Sequence, residues 1–403
     1  MHQLRSDIGQ IHQQVRLTDN SRQASGLEMC TRGEDAPADL VPSPTGAADM
    51  KSIWRGAIAA AAAAAIVSGI TGAGIAYADH ADTVGGAANG RTYTVGLFGD
   101  MPYGTKGRVE YPRLLEDMNN SDIKFSIFDG DLKAGGDGAC TDSLYTQSRD
   151  WFNSLDRPVV VVPGDNDWTD CWGRYGPGTG GYDALERLDH ERQVFYPTEQ
   201  TLGRHTMTVT RESAEPGYES YCENVRWVYG SVMFITLNVQ GSNDNLPHAG
   251  VDGESRPAGE IARMTAEHQA REAANIHWLQ ESYAEATRLG LKGVLVDWQA
   301  DPNFNNEQKL QPLQYDGYNE ILPELRKQVL AFPGQSALVH GDSHYFKEDK
   351  PLKYDNGQVV ANFTRVETFG DGNTHWVAVT IDPNDPNVFE FSPRIVAANV
   401  NDR

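Results

Sequence analysis

Four times in this 403-residue chain a glycine and an aspartate directly follow an apolar, strand-like run: Gly99-Asp100, Gly130-Asp131, Gly164-Asp165 and Gly341-Asp342. The first three aspartates stand 31 and 34 residues apart, about what a strand, a helix and two short loops consume. Strands so connected run parallel, which places their carboxyl ends, and these acids, on one edge of a sheet, where ligands of open α/β sheets bind. Several carboxylates gathered there indicate a metal-ion pocket.

The intervening residues carry the periods this requires. Tyr93 to Phe98 reads as a strand, and Tyr111, Leu114, Leu115 and Met118 then recur at i, i+3, i+4 and i+7, the buried face of a helix. Lys124 to Phe128 is a second strand, Leu144, Trp151, Phe152 and Leu155 a second helical face, and Pro158 to Val162 a strand so apolar that both its faces must be covered. The second half is richer in strands. Val225 to Tyr229 and Val232 to Val239 flank Gly230-Ser231, a glycine-first hairpin turn. A long helix over 260–289 leads to a strand at 293–298, and Ile321, Leu322, Leu325 and Val329 mark a further helix before the strand 337–340 that opens into Gly341-Asp342-Ser343-His344. Tail strands are expected at 359–363, 376–381 and 388–391, and the Gly-rich stretch Trp172 to Tyr182 reads as the rim of a site.

Residues 50–78 have the parts of an export signal: Lys51 and Arg55, an Ala/Gly/Ile-rich stretch, and Ala76-Tyr77-Ala78 before Asp79. The expected mature chain begins near Asp79, with Met50 as the true start and 1–49 a disordered or misassigned extension. The other reading of the same stretch is an uncleaved anchor. With cleavage, no stable membrane insertion remains, and the protein is expected to be secreted or on the cell-envelope exterior. Of 34 basic and 56 acidic residues, 6 and 7 precede Asp79, which leaves 28 against 49 and a formal charge of −21. Such a surface repels phosphate backbones, so general nucleic-acid binding is excluded. Cys140 and Cys171 each lie a few residues past an aspartate-bearing strand and are expected to pair in an oxidising compartment, with Cys222 left over.

The ordered set Gly99-Asp100, Gly130-Asp131, Gly164-Asp165-Asn166-Asp167, a strand ending at Gln299, and Gly341-Asp342-Ser343-His344 resembles the five motifs of the calcineurin-like metallophosphoesterase superfamily. The resemblance covers most of residues 93 to 346. It implies an α/β fold of two mixed β-sheets packed face to face between helical layers, a four-layer αββα sandwich forming one domain over 79–403, with two metal ions at the strand ends. Carried over position by position, it implies the metal ligands Asp100, Asp131, Asp165, Gln299, Asp342 and His344, with Asn166 and Asp167 as catalytic residues.

The departures matter as much. Pro102 stands where the family has a ligating histidine, Asp165 where it has asparagine, Asn166 where a histidine helps protonate the leaving group, Gln299 at a lone histidine, and Asp342 at the first histidine of the last motif. The surviving donors are oxygen-rich, which favours Mn²⁺ or Mg²⁺, with Ca²⁺ at the all-oxygen position, over Zn²⁺. The expected activity is hydrolysis of a small phosphorylated substrate, a phosphomonoester or phosphodiester. The alternative is a non-catalytic relative that binds an extracellular ligand. Lys133 and Arg174 are cations near the motifs in sequence that could meet a phosphate, and either is as readily an ordinary solvated side chain.

Overall fold

A computed structural model describes residues 90–135, 138–172, 181–246, 257–304 and 315–400. The export signal, the start at Met50 and Arg174 lie outside the described residues.

Strand β1 (Tyr93–Phe98) leads into helix α1 (Gly104–Asn119), strand β2 (Ser126–Phe128), helix α2 (Asp142–Phe152) and strand β3 (Val159–Val161). Helix α1 buries Tyr111, Leu114, Leu115 and Met118, the stripe that its sequence period marks. β1, β2 and β3 run parallel, β11 (Trp376–Ile381) adds antiparallel to β1 and β12 (Phe389–Arg394) antiparallel to β11, giving the order β12-β11-β1-β2-β3. The second sheet contains β4 (Thr210–Arg211), β5 (Val225–Tyr229), β6 (Val232–Thr236), β7 (Gly293–Asp297), β8 (Gln335–His340), β9 (Lys347–Asp349) and β10 (Phe363–Glu367), ordered β4-β5-β6-β7-β8-β10-β9. Its centre, β6 to β8 and β10, is parallel and its margins are antiparallel.

Alternation along the strands sorts their side chains into layers. Val95, Leu97, Phe125, Ile127 and Val160 of the first sheet pack against Trp227, Phe234, Leu295, Val339 and Val366 of the second. The opposite face of the first sheet, with Phe98 and Phe128, is covered by Leu114, Phe152 and Phe195 from α1, α2 and α3 (Ala184–Phe195). The opposite face of the second, with Ile235, Val296 and Leu338, is covered by Trp278, Leu279 and Tyr283 of α4 (Ala258–Arg288) and Leu325 and Val329 of α5 (Ile321–Ala331). The result is the four-layer αββα sandwich. Each fully buried Leu, Val or Phe contributes about 1.5–3 kcal/mol, so the three apolar interfaces hold the layers together.

Two local readings change. The strand expected at 359–363 is displaced to Phe363–Glu367. Val359 forms only an isolated bridge to Lys353, whereas Arg365, whose polar character hid the strand, is buried and paired with Asp349 on β9 at 2.6 and 2.8 Å. Helix α3, which the sequence reading passed over, is capped by the Asp183 carboxylate accepting from Leu185 N and Glu186 N. The hairpin is as expected, with Gly230 at φ +61° and Tyr229 opposite Val232. Cys140 and Cys171 form a disulfide, and Cys222 is buried outside it.

Candidate metal centre

The four Gly-Asp pairs end β1, β2, β3 and β8 on the same side of the sandwich. The glycines are required mainly by crowding rather than by turning. A Cβ on Gly99 would lie 1.5 Å from Asp129 Oδ1, one on Gly164 2.1 Å from Asp131 Oδ1, and one on Gly341 2.2 Å from Asp100 Oδ2. Each strand end therefore presses its backbone against a carboxylate from a neighbour. The turning falls to the acids themselves: Asp100, Asp131 and Asp342 have φ of +51°, +66° and +75°, and His344 +63°. Short polar side chains tolerate this left-handed region best, at a cost of about 1–2 kcal/mol each.

Single ligand atoms of Asp100, Asp131 and His344 lie within 4.8 Å of one another. His344 Nε2 is 3.4 Å from Asp100 Oδ1. Asp165 lies beside Asp131, and Gly241 leaves a cradle between Asp165 and Asp342, since a Cβ there would be 2.8 Å from Asp165 Oδ2 and 2.8 Å from Asp342 Oδ1. The four aspartates and His344 thus converge. Gln299 adjoins them, but its Oε1 accepts from Gly241 N, at 2.5 Å, and its Nε2 lies 3.4 Å from Asp165 Oδ1. Here Gln299 presents an amide N–H₂ to the acids.

The two expected catalytic residues separate. Asn166 Nδ2 donates to Asp131 Oδ2 at 2.6 Å, and its backbone N–H to Asp131 Oδ1 at 3.1 Å. The Asp167 carboxylate instead accepts from the backbone N–H groups of Asp131, Leu132 and Gly164 at 3.0, 2.7 and 2.8 Å. It holds the β2 and β3 loops together.

Several participants carried no sequence signal, or a weak one. Tyr103, three residues past Asp100, is buried and donates to Asp131 Oδ2 at 2.8 Å; it also accepts from Asn166 Nδ2 at 3.3 Å and packs edge-on against His344. Asp301, two past Gln299, donates through its backbone N–H to Asp342 Oδ2 at 3.1 Å and accepts from Ser343 Oγ at 2.8 Å. Ser242 Oγ donates to Asp165 Oδ2 at 2.8 Å from a turn in which residues 242–245 all have positive φ. That turn is anchored by Arg271, which donates to Asp244 Oδ1 at 2.6 Å and to Asn238 O at 2.7 Å. His340 is buried, with Nδ1 2.9 Å from Gly341 O.

The electrostatics follow from the crowding. Burial, then the Asp165 charge, raises Asp131 and Asp342 well above the usual carboxyl range. Asp165 is raised by burial against the lowering hydrogen bonds of Ser242 and Asp131. His344 is pulled down by burial, but its hydrogen bond to Asp100 leaves it raised overall. Acids so placed favour either a proton or a cation. The donor set and the Gly241 cradle fit divalent ions bound through oxygen with one imidazole.

No family model and no curated protein matches the sequence. Among solved structures, the chain is similar to a dimetal phosphatase from Danio rerio (9% identity, 76% of this chain and 96% of that one, TM-score 0.44). It is also similar to the phosphopantetheinyl hydrolase PptH from Mycobacterium tuberculosis (14%, 70% and 91%, TM-score 0.34) and a 5'-nucleotidase from Candida albicans (11%, 76% and 51%, TM-score 0.34). At these identities each is a distant likeness.

Proposed function

We propose that this protein is a secreted, metal-dependent hydrolase of phosphate esters, acting on small phosphorylated substrates through a dinuclear, oxygen-rich centre. The observation that carries this reading is the convergence of Asp100, Asp131 and His344 within 4.8 Å, drawn from both sheets. Asp100, Asp131 and His344 would hold one ion, and Asp131, Asp165 and Asp342 the other, with Mn²⁺ or Mg²⁺ preferred and Ca²⁺ suited to the second position. When bound, such ions polarise phosphoryl oxygens and make water nucleophilic at neutral pH. The Cys140–Cys171 disulfide supports secretion.

The chain's own groups then define the chemistry. Asn166 and Tyr103 hold the Asp131 carboxylate in one orientation. The two amide hydrogens of Asn166 are engaged by Asp131 Oδ2 and Tyr103 Oη, and the amide cannot give a proton to a leaving group. Absence of a general acid typically costs about 10²–10⁴ in rate, so esters with good leaving groups should suffer least. In the test, the chain from Asp79 is loaded with Mn²⁺, Mg²⁺ or Ca²⁺ and offered an activated phosphodiester and an activated monoester. Turnover lost in Asp131→Asn, with the folded circular dichroism spectrum retained, is the expected result.

A second reading, metal or ligand binding without catalysis, is favoured by one contact pattern. Tyr103 Oη and Asn166 Nδ2 both donate to Asp131 Oδ2, and Asn166 N to Asp131 Oδ1, so both oxygens of a carboxylate that would hold the ions already have protein donors. Stoichiometric ion uptake with no turnover of either ester would establish it.

A further inference from the structure

We infer that the cleft between α1 and α2 is an anion subsite built around Lys133, taking a phosphoryl group carried on the leaving-group side of the substrate. This deepens the hydrolase reading and rests on it for the cleft's role. The cleft measures about 660 Å³ and is lined by Arg108, Lys133, Thr141, Ser143, Thr146 and Gln147, among others. That volume suits a small-molecule group. Its charged lining residues are Arg108, Lys133 and Asp150, two cations to one acid, in a chain with 34 basic against 56 acidic residues.

Lys133 is the decisive residue. Its side chain is buried, 1% exposed, and its ammonium donates to Ala134 O at 3.2 Å. An ammonium has three donors, and a buried charge is costly unless it is paired and hydrogen-bonded. The Asp167 carboxylate supplies a counter-charge from the protein side; a compact oxyanion entering the cleft supplies further acceptors, and lysine suits phosphate as a point charge. The hydroxyls of Thr141, Ser143 and Thr146 add neutral hydrogen-bonding groups to the same lining.

The cleft adjoins the metal centre through one loop. Asp131 belongs to the acidic cluster, and Lys133, two residues later, lines the cleft, so their Cα atoms lie no more than about 7 Å apart. Gly135 then lies against Asn166, since a Cβ there would be 2.6 Å from Asn166 Oδ1. A substrate whose reacting phosphoryl group sat at the aspartates would extend its leaving group past Asn166 toward Lys133. The class so defined is phosphate esters or anhydrides with a second phosphoryl group beyond the scissile bond.

The test separates this from the hydrolase reading. Inorganic pyrophosphate is titrated calorimetrically into the full chain with a chelator present, so that no ion takes part. Binding that weakens about tenfold or more in Lys133→Gln and is retained in Lys133→Arg is the expected result, the size of one lost charge-assisted hydrogen bond. No binding to the unmutated chain, or equal binding to Lys133→Gln, overturns the subsite. In the ion-loaded protein, Lys133→Gln should raise KM about tenfold more for a substrate with the second phosphoryl group than for p-nitrophenyl phosphate. An equal loss on both substrates would mean that Lys133 serves only to steady the Asp167 loop, and overturns it too. If no ester is turned over at all, the hydrolase reading fails while pyrophosphate binding still decides the cleft.

Discussion

The carboxylate of Asp100 occupies the space beside Gly341 that any side chain there would need: a Cβ on Gly341 would lie 2.2 Å from Asp100 Oδ2. The same oxygen accepts from Asp342 N at 3.0 Å. The last motif is thus fitted onto the first across the interface of the two sheets.

Gly341→Ala should therefore act on both fold and site. Overpacking of this kind costs about 1–3 kcal/mol. The expected outcome is a lower urea midpoint together with weaker Mn²⁺ binding by calorimetry. A variant with unchanged ion affinity would show that Asp100 is not a ligand in its present place.

Tyr103→Phe removes a buried hydroxyl from Asp131 Oδ2 without changing the ring that packs on His344. A lost hydrogen bond to a charged acceptor costs about 1–3 kcal/mol. Loss of a partner that orients a ligand typically lowers metal affinity about 10–100-fold. Weaker Mn²⁺ binding is expected; tighter binding would show that the phenol competes with cations for that oxygen.

The buried acids set a pH dependence for the chelated protein. Asp167 is raised by burial to about 7, and burial raises Asp129, Asp131, Asp297 and Asp342 well above the ordinary value. Below about pH 4 both folded and unfolded chains hold these protons, and the contribution of these groups is fully present. As pH rises the unfolded chain releases its protons first, so stability falls, through about pH 7 for Asp167. Urea melts with chelator at about pH 5 and about pH 8 should show the loss, and divalent ions should restore more stability at the higher pH. Asp297→Asn, at a buried carboxylate with both oxygens unpartnered, should flatten the slope. A slope unchanged by that substitution would rule Asp297 out as a contributor.

Ser242 has φ +48° in an exposed position of its turn. Ser242→Gly and Ser242→Ala both remove the hydroxyl from Asp165, but only glycine relieves the left-handed backbone. Glycine should be the more stable of the two by about 1 kcal/mol. Equal melting midpoints would mean that the turn is not strained.

The Cys140–Cys171 disulfide joins loops that follow β2 and β3, its cysteines 31 positions apart in sequence. Closing a loop of this length stabilises by about 3–4 kcal/mol through the unfolded chain. Cys140→Ser with Cys171→Ser should lower the thermal midpoint and weaken ion binding together, since Asp131 and Asp165 belong to the loops it ties. A lower midpoint with unchanged ion affinity would confine the disulfide's role to stability.

The elements with a clear period were legible along the chain: α1, α4 and the apolar β3 stand where their patterns place them, because an amphipathic stripe or a fully apolar run permits few burials. Strand β10 was not, since a buried Arg365 makes sense only once Asp349 is beside it. The same divide runs through the site. Asp100, Asp131, Asp165, Asp342 and His344 could be named from Gly-Asp spacing and motif order. Tyr103, Ser242 and Asp301 could not, because their relevance arises from loop conformation rather than residue pattern.

What the sequence alone determined is which acids arrive at the strand ends, since strand and helix lengths and the intervals of 31 and 34 residues are local quantities. The packing of one sheet on the other decided which atoms of those residues meet. It turned Gln299 Oε1 to Gly241 N, engaged the Asp167 carboxylate with backbone N–H groups, and brought Tyr103 onto Asp131. Side-chain direction and hydrogen-bond choice depend on neighbours distant in the chain, and those neighbours exist only after the layers have closed.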